Sequence, residues 1–511
     1  ELADRSGSTV LTGAFSQSML LEVPAGLELP RLEAAVQRLL DHHDVLRARL
    51  EFADGEPSAL VVPEKGSVPP AVRRVDAADL AAEHRIDVVR ACVEDEAKQL
   101  DPVAGRMVRV VWFDAGPDVP GRVLVVAHHL AVDGVSWRVL APDLAAAYEG
   151  GPDAVLDPVA SSFRGWAEAL AAEAVSAERT AELPSWIRML EGPDHLLGGR
   201  ALDPAVDTVA AGTRRVELRV PVSVTSELLT RVPGAFHAGI DDVLLAALVA
   251  AVDEWREIPG GLLVDVESHG RVPLSDDMDL TRTVGWFTSS HPLRLDAGGA
   301  DHAQVRSGGP EAGRLLKRVK EQVRAVPGDG DGLGYGLLRY LNPATASAFE
   351  GFPSARIGFN YLGRFTPGSG DVRGDWQPDG DTVLGGTADE RMVLTHELDA
   401  GGLVRDLPEG PELTISLACP AGLLDDEELR ELTSAWAAML NGLAAHAGEP
   451  GAGGHTPSDF PLVALGQDEV EELEAAVPGL VDVWPLSPLQ EGLLFHARYD
   501  EGSRDVYVGQ R

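Results

Sequence analysis

Two short apolar runs set the strongest limit on what this chain can become: MVRVVWF at 107–113 and RVLVVAHHL at 122–130, separated by the turn-forming DAGPDVPG. Runs of this length, bounded by Gly, Pro and Asp, predict paired β-strands rather than helices. The second run ends in two histidines, and DGVSW follows within a few residues. The fold must therefore end a buried strand at a polar cluster and turn at once into a helix, predicted at about 137–149. Around this pair, hydrophobic periodicity predicts a strand at 14–24 and helices at 31–50 and 84–100. Residues 1–190 read as one α/β lobe.

A Gly/Asp/Pro-rich stretch at 191–214 reads as a crossing loop into a second lobe, 191–447. Its predicted strands are 214–220, 262–268, 355–363 and 412–420, and its helices lie near 223–232, 241–256, 312–326 and 424–447. The Gly and Pro content of 448–465 predicts a flexible tether. Residues 466–511 read as a separate segment, with a short helix at 468–476 ahead of WPLSPLQEGLLFHARY. The mixture of strands and helices puts the chain in the α/β (α+β) class.

The 511 residues include 43 Lys plus Arg against 81 Asp plus Glu, a net charge of −38. Such a surface repels phosphate backbones and anionic bilayers, so neither nucleic acid nor membrane is expected as a partner. No stretch approaches ~20 uninterrupted apolar residues. The opening ELADRSGSTVLTG lacks the basic and apolar regions of a secretory leader. Cys92 and Cys419 form no metal or redox motif, and a reducing, cytoplasmic setting is expected.

Five local patterns carry chemistry. In AHHLAVDGVSW (127–137), neighbouring strand residues point to opposite faces, so His128 and His129 cannot share one metal, and no metal site is expected. One ring should face a cleft as a proton shuttle while the other packs inside. The plainer alternative is two core histidines, with Asp133 capping the next helix. A similar-looking DHHD at 41–44 lies on a predicted helix and reads as a solvated face. VDVESHGR (264–271) ends a strand at Glu267, a candidate general base, with an ion pair to Arg271 as the competing reading. TRTVGWFTSSHP (281–292) crowds apolar and aromatic residues around Gly285 and reads as a crevice wall. GDGDGLGYGLLRYL (328–341) alternates Asp329 and Asp331 like a calcium loop, but Leu333 and Tyr340 stand where oxygen ligands are needed. Its glycine spacing also misses the dinucleotide fingerprint. GFNYLGRF (358–365) sets Asn360 beside Tyr361, an amide and a phenol suited to a reacting carbonyl or carbanion.

In chain order, HHLAVDGVSWR (128–138), DDVLLAAL (241–248), ESHGR (267–271), RTVGWFTSSHP (282–292), GLGYGLLRYL (332–341) and FNYLGR (359–364) resemble the motifs of the epimerization domain of nonribosomal peptide synthetases, a member of the condensation-domain superfamily. The resemblance implies two chloramphenicol-acetyltransferase-like lobes in a V with a tunnel between them. It implies an aminoacyl or peptidyl thioester on the 4′-phosphopantetheine arm of an upstream peptidyl carrier domain, epimerized from L to D at its α-carbon. The domain itself would bind no cofactor, and the setting would be antibiotic-type secondary metabolism. By resemblance, His129 faces the tunnel, Glu267 is the acid/base, and Asn360 and Tyr361 line the same site. His128, Asp133 (through an arginine), Gly134, Ser136 and Arg271 would hold the motif together, and Trp286, Phe287 and Tyr335 would line the tunnel.

Three departures stand out. The family's opening Pro-Ile-Gln motif is absent, GDGDG precedes GLGYG, and ESHGR stands where Gly before His is commoner. The chain therefore reads as a segment of a longer polypeptide, working as a monomer within it. TPSDFPLVALGQDEVEEL and WPLSPLQEGLLFH (484–496) resemble the linker and first helix of a downstream condensation domain. Two other functions fit parts of the pattern: peptide-bond formation by acyl transfer on the same fold, with His129 positioning the amine, and a non-enzymatic docking platform. Glu267, RTVGWFT and FNYLG favour epimerization. The geometric requirement is that the imidazole of His129 and the carboxylate of Glu267, from separate lobes, meet across one channel.

Overall fold

The structure, a computed structural model, describes residues 13–78, 80, 82–328, 330–365, 375–379 and 385–499. Asp329 and the end of the 466–511 segment lie outside them. The first lobe contains β1 (Ser16–Val23), a separate hairpin of β2 (Arg49–Ala53) and β3 (Glu56–Val61), then β4 (Val72–Asp76), β5 (Val108–Asp114) and β6 (Gly121–His128). Strands β1, β6, β5 and β4 adjoin in that order, with β5 and β6 the antiparallel pair predicted from sequence.

The unbroken apolar character of β6 follows from cover on both faces. Val123, Val125 and Ala127 pack with helices Leu29–His42 and Trp137–Gly150, while Leu124 and Val126 pack with helix Ala82–Ala97. The register sets Ser16 opposite His128 and Gln17 opposite Ala127. The start of β1 therefore lies beside the end of β6.

The second lobe contains β7 (Thr213–Val220), β8 (Leu262–Ser268), β9 (Ser289–Leu295) and β10 (Ile357–Phe365). Two short strands follow, β11 (Gln377–Pro378) and β12 (Gly385–Thr387), and then β13 (Leu398–Leu407) and β14 (Gly410–Pro420). The second sheet has the order β7-β14-β13-β10-β8-β9, with β10 parallel to both β8 and β13. Helix Ile240–Arg256 runs through this lobe's core with Val243–Val252 fully buried, each such Leu or Val worth about 1.5–3 kcal/mol. Trp436 of helix Asp426–His446 donates its indole N–H to the Leu244 carbonyl at 3.1 Å. Among the described residues no single helix is long and apolar enough to cross a membrane.

Four expectations change. Strand β13 escaped prediction because Asp399, Gly401 and Gly402 break its apolar alternation. Strands β11 and β12 leave the 191–447 stretch and pair with β1 of the first lobe, with Leu21 opposite Pro378 and Ser16 opposite Thr387. Chain order therefore does not mark the lobe boundary there.

The 448–465 stretch is not a free tether. Phe460 and Thr456 are fully buried, and the ammonium of Lys320, itself buried, donates to both Asp459 oxygens at 2.6 and 2.7 Å. Gly and Pro content reports backbone freedom, but a buried ring and a buried ion pair fix the segment regardless. In DHHD, the helix ends at His42, which turns His43 inward onto Asp143 at 2.8 Å. Asp143 also takes Arg282 from the second lobe at 2.5 Å, so this motif joins the lobes rather than facing solvent. By contrast, the tail beyond 476 leaves Val481, Trp484, Leu489 and Phe495 exposed.

Candidate functional site

A cavity of about 2420 Å³ opens between the lobes, walled by Phe15, Gln17 and His129 from the first and by Glu267, Trp286 and Asn360 from the second. Ordinary small-molecule pockets hold roughly 300–1,000 Å³. This one exceeds that range.

The two histidines separate as strand geometry requires. His128, the last residue of β6, is fully buried, with Nε2 at 3.2 Å from the Gly13 carbonyl. Burial holds its pKa down at about 4, so it is neutral. The chain then enters a short 3₁₀ turn, His129–Ala131, which swings His129 onto the cavity wall. Its ring stacks on Phe15 at 4.6 Å and lies 4.6 Å from Trp286 of the second lobe.

Gln17 decides which nitrogen of His129 carries the proton. Trp137 can only donate, and its indole N–H is 2.9 Å from Gln17 Oε1. The amide must then turn its NH₂ to His129 Nε2, at 3.0 Å. That nitrogen is an acceptor, so the ring proton sits on Nδ1. Burial also pushes the His129 pKa below its ordinary value, which keeps the imidazole neutral. Gln17 carries no motif of its own, and only its register on β1 beside β6 reveals its role.

Asp133 and Arg271 form a buried junction between the lobes at the site. The Asp133 carboxylate, buried, accepts from Ser136 N at 2.8 Å, from Arg271 Nη2 at 2.9 Å and from Phe287 N at 3.2 Å. Ser136 Oγ accepts from Gly285 N at 3.2 Å. Arg271 also donates to the carbonyl of Thr283 at 2.5 Å and lies 4.2 Å over the Phe287 ring. The arginine expected for Asp133 is thus Arg271, and the competing pair of Arg271 with Glu267 gives way to it. Gly134 sits exposed on the cavity wall.

Glu267 lies one residue from the end of β8, exposed to the cavity, and accepts a hydrogen bond from Asn360 Nδ2. Residues 93 apart in sequence meet because β8 and β10 run parallel, with Val266 opposite Phe359. Tyr361 lines the cavity too, and its phenol is pushed up to about 12, first by burial and then by the nearby Asp241 carboxylate. It therefore stays protonated at neutral pH.

Of the expected tunnel residues, Trp286 stands on the wall. Phe287 reaches the wall but is 1% exposed, its ring packed on Trp166 and Phe163. Tyr335 does not line the cavity. It is buried against Trp186 and Phe349, because the helix beginning at Leu333 turns it into the second core, and Tyr340 faces the cavity instead. Asp331 is engaged by Arg179 at 2.6 Å. Both cysteines are buried and free.

The chain matches the condensation domain family over residues 9–460. It is 34% identical over 501 residues to a linear gramicidin synthase of Brevibacillus parabrevis, covering 97% of this chain and 9% of that protein. It is 32% identical over 512 residues to the chondramide synthase of Chondromyces crocatus, covering 94% of this chain and 12% of that protein. The chain thus spans only about a tenth of the length of these relatives. Among solved structures, the epimerization domain from the third module of tyrocidine synthetase B superposes with a TM-score of 0.71 at 27% identity, over 85% of this chain and 92% of that one. A lobed architecture with a walled inter-lobe cavity, the buried Asp133–Arg271 junction and the family match agree: the chain belongs to the condensation-domain family.

Proposed function

We propose that this domain epimerizes the α-carbon of an aminoacyl or peptidyl thioester, delivered on the 4′-phosphopantetheine arm of a carrier domain, by removing and returning the α-proton. The observation that carries the reading is the Glu267–Asn360 pair on the wall of the cavity that His129 also lines. A thioester carbonyl acidifies its α-proton only weakly. The reaction needs a base on one face of the carbon, a proton source on the other, and donors for the enolate oxygen.

Glu267 is the base. Asn360 has two amide protons; one binds Glu267 and the other is available to the enolate. Tyr361, held protonated, is a second donor in the same cavity. His129 lines the same cavity with its proton on Nδ1, and it exchanges a proton through Nε2 only when Gln17 lets go. The cavity volume supports a long, arm-borne substrate. The exposed apolar tail at 481–495 supports a downstream condensation domain as neighbour, and the −38 charge supports neither nucleic acid nor membrane as partner.

Acyl transfer to an amine is the competing reaction, since His129 on the wall would serve it equally well. A carrier domain loaded with an L-aminoacyl or dipeptidyl thioester, incubated with this domain alone in deuterated water, separates the two. Epimerization yields D-product with α-deuterium and no acceptor present. Recovery of undeuterated L-thioester that reacts only when an amine acceptor is added would overturn the reading in favour of acyl transfer.

A further inference from the structure

One row of the second sheet away from Glu267 sits a histidine that no motif contains. His396 precedes β13, and its two ring nitrogens face two carboxylates: Nδ1 lies 2.9 Å from Asp399 Oδ1 and Nε2 lies 3.1 Å from Asp265 Oδ2. Asp265 is on β8 and Asp399 on β13, and both stand opposite Gly358 of β10, which lies between them. A Cβ on Gly358 would come within 2.6 Å of His396 Nδ1, so glycine is required there for space and not for its backbone angles.

A neutral imidazole has one N–H and would turn a lone pair toward one of these carboxylates. Only the imidazolium donates to both. Burial opposes that charge, but the hydrogen bonds to Asp265 and Asp399 outweigh it and raise the pKa to about 10.

The next row on the same face holds Glu267 on β8 and Asn360 on β10, about 7 Å along the strands. Three carboxylates, at 265, 267 and 399, therefore crowd two rows of one cavity wall, in a chain with a large excess of acid. The charged or titratable groups facing His396 are Asp265 from β8 and Asp399 from β13; β10 presents only Gly358. Beyond Asp265, on β9, His291 is buried, with a pKa lowered to about 4, and is neutral.

Resting on the proposed role of Glu267, we infer that His396 is a positioning residue: a fixed imidazolium clamped across β8, β10 and β13 that holds the carboxylate row in register and keeps Glu267 ionised for proton abstraction. It touches no reacting atom. Without its charge, Asp265 and Asp399 lose the cation they share, and Glu267 loses the nearest positive charge on its wall.

The test has two arms. The first needs no substrate: histidine side-chain NMR of the intact domain, with His396→Gln to assign the signal. His396 should remain charged at pH 8, and a signal titrating in the ordinary histidine range overturns the clamp. A folded pKa raised above the unfolded value gives stability that is complete below about 6.5 and is lost as pH rises through about 10. The melting temperature should fall from pH 7 to 10, and fall less in His396→Gln. The second arm is the pH profile of α-deuterium exchange on the loaded carrier. His396→Gln should move its acid limb upward by about one pH unit, with KM little changed, and His396→Lys should move it back. An unmoved limb overturns the link to Glu267. If His396→Gln does not fold, Gly358→Ala displaces the ring while leaving every charged group in the chain, and the same upward shift is expected. Absence of exchange in the unmodified domain defeats the epimerase reading, and the NMR arm still decides whether the clamp exists.

Discussion

Glu267→Gln should reduce α-proton exchange on a carrier-bound thioester by about 10²–10⁴-fold, the range that a positioned general base contributes. Glutamine keeps the length of the side chain and can still accept from Asn360 Nδ2 through its carbonyl oxygen. The wall geometry survives, and what disappears is the ability to take a proton. The loss should therefore fall on kcat, with KM for the loaded carrier close to that of the unmodified domain. Thermal stability should change little, since Glu267 is exposed to the cavity. Single-turnover exchange in deuterated water, followed by chiral analysis of the released acyl group, reads the effect directly. Retention of more than a tenth of the rate would remove Glu267 from the role of base and shift attention to Tyr361 or His129.

The second large effect is on stability. Arg271→Ala should cost about 3–5 kcal/mol, because it strands the Asp133 carboxylate in a buried site without its cation. Asp133 comes from the first lobe. Arg271, Thr283 and Phe287, which complete the cluster, come from the second, so the loss also unfastens the lobes. Truncating Asp133 as well removes the orphaned charge. Asp133→Ala combined with Arg271→Ala should therefore be less destabilised than the sum of the two single variants. Urea unfolding of the four proteins measures this coupling. Additive losses, or a single-variant loss below about 1 kcal/mol, the range of exposed ion pairs, would mean that the pair is solvated in solution.

Much of this site was legible in the primary structure, for identifiable reasons. The alternation rule alone separated His128 from His129, and the structure buries the first and sets the second on the cavity wall. Glu267 was legible only as a carboxylate at the end of a strand. Its meaning depends on Asn360, which reaches it through a parallel strand pairing that no local window contains. Gln17 was not legible at all, because a glutamine on an apolar strand acquires a role only when register sets it beside β6. His396 was missed for the same reason, since its contact with Asp265 depends on a strand 131 residues away in sequence. Tyr335 was misplaced because a glycine-rich stretch does not reveal which way its helix turns.

Local chemistry by itself determined the strand pair at 107–130, the helix that follows it, the apolar core helix at 240–256 and the residue types able to move a proton. Those depend on short-range sterics, periodicity and the pKa range of each side chain, all of which are present in a short window of residues. The tertiary structure alone decided which acids meet which bases, that β11 and β12 cross to the other lobe, and that Phe460 and Lys320 pin a glycine-rich segment in place. Those outcomes are set by strand register and by burial between distant segments, where the loss of water makes each charge seek a particular partner.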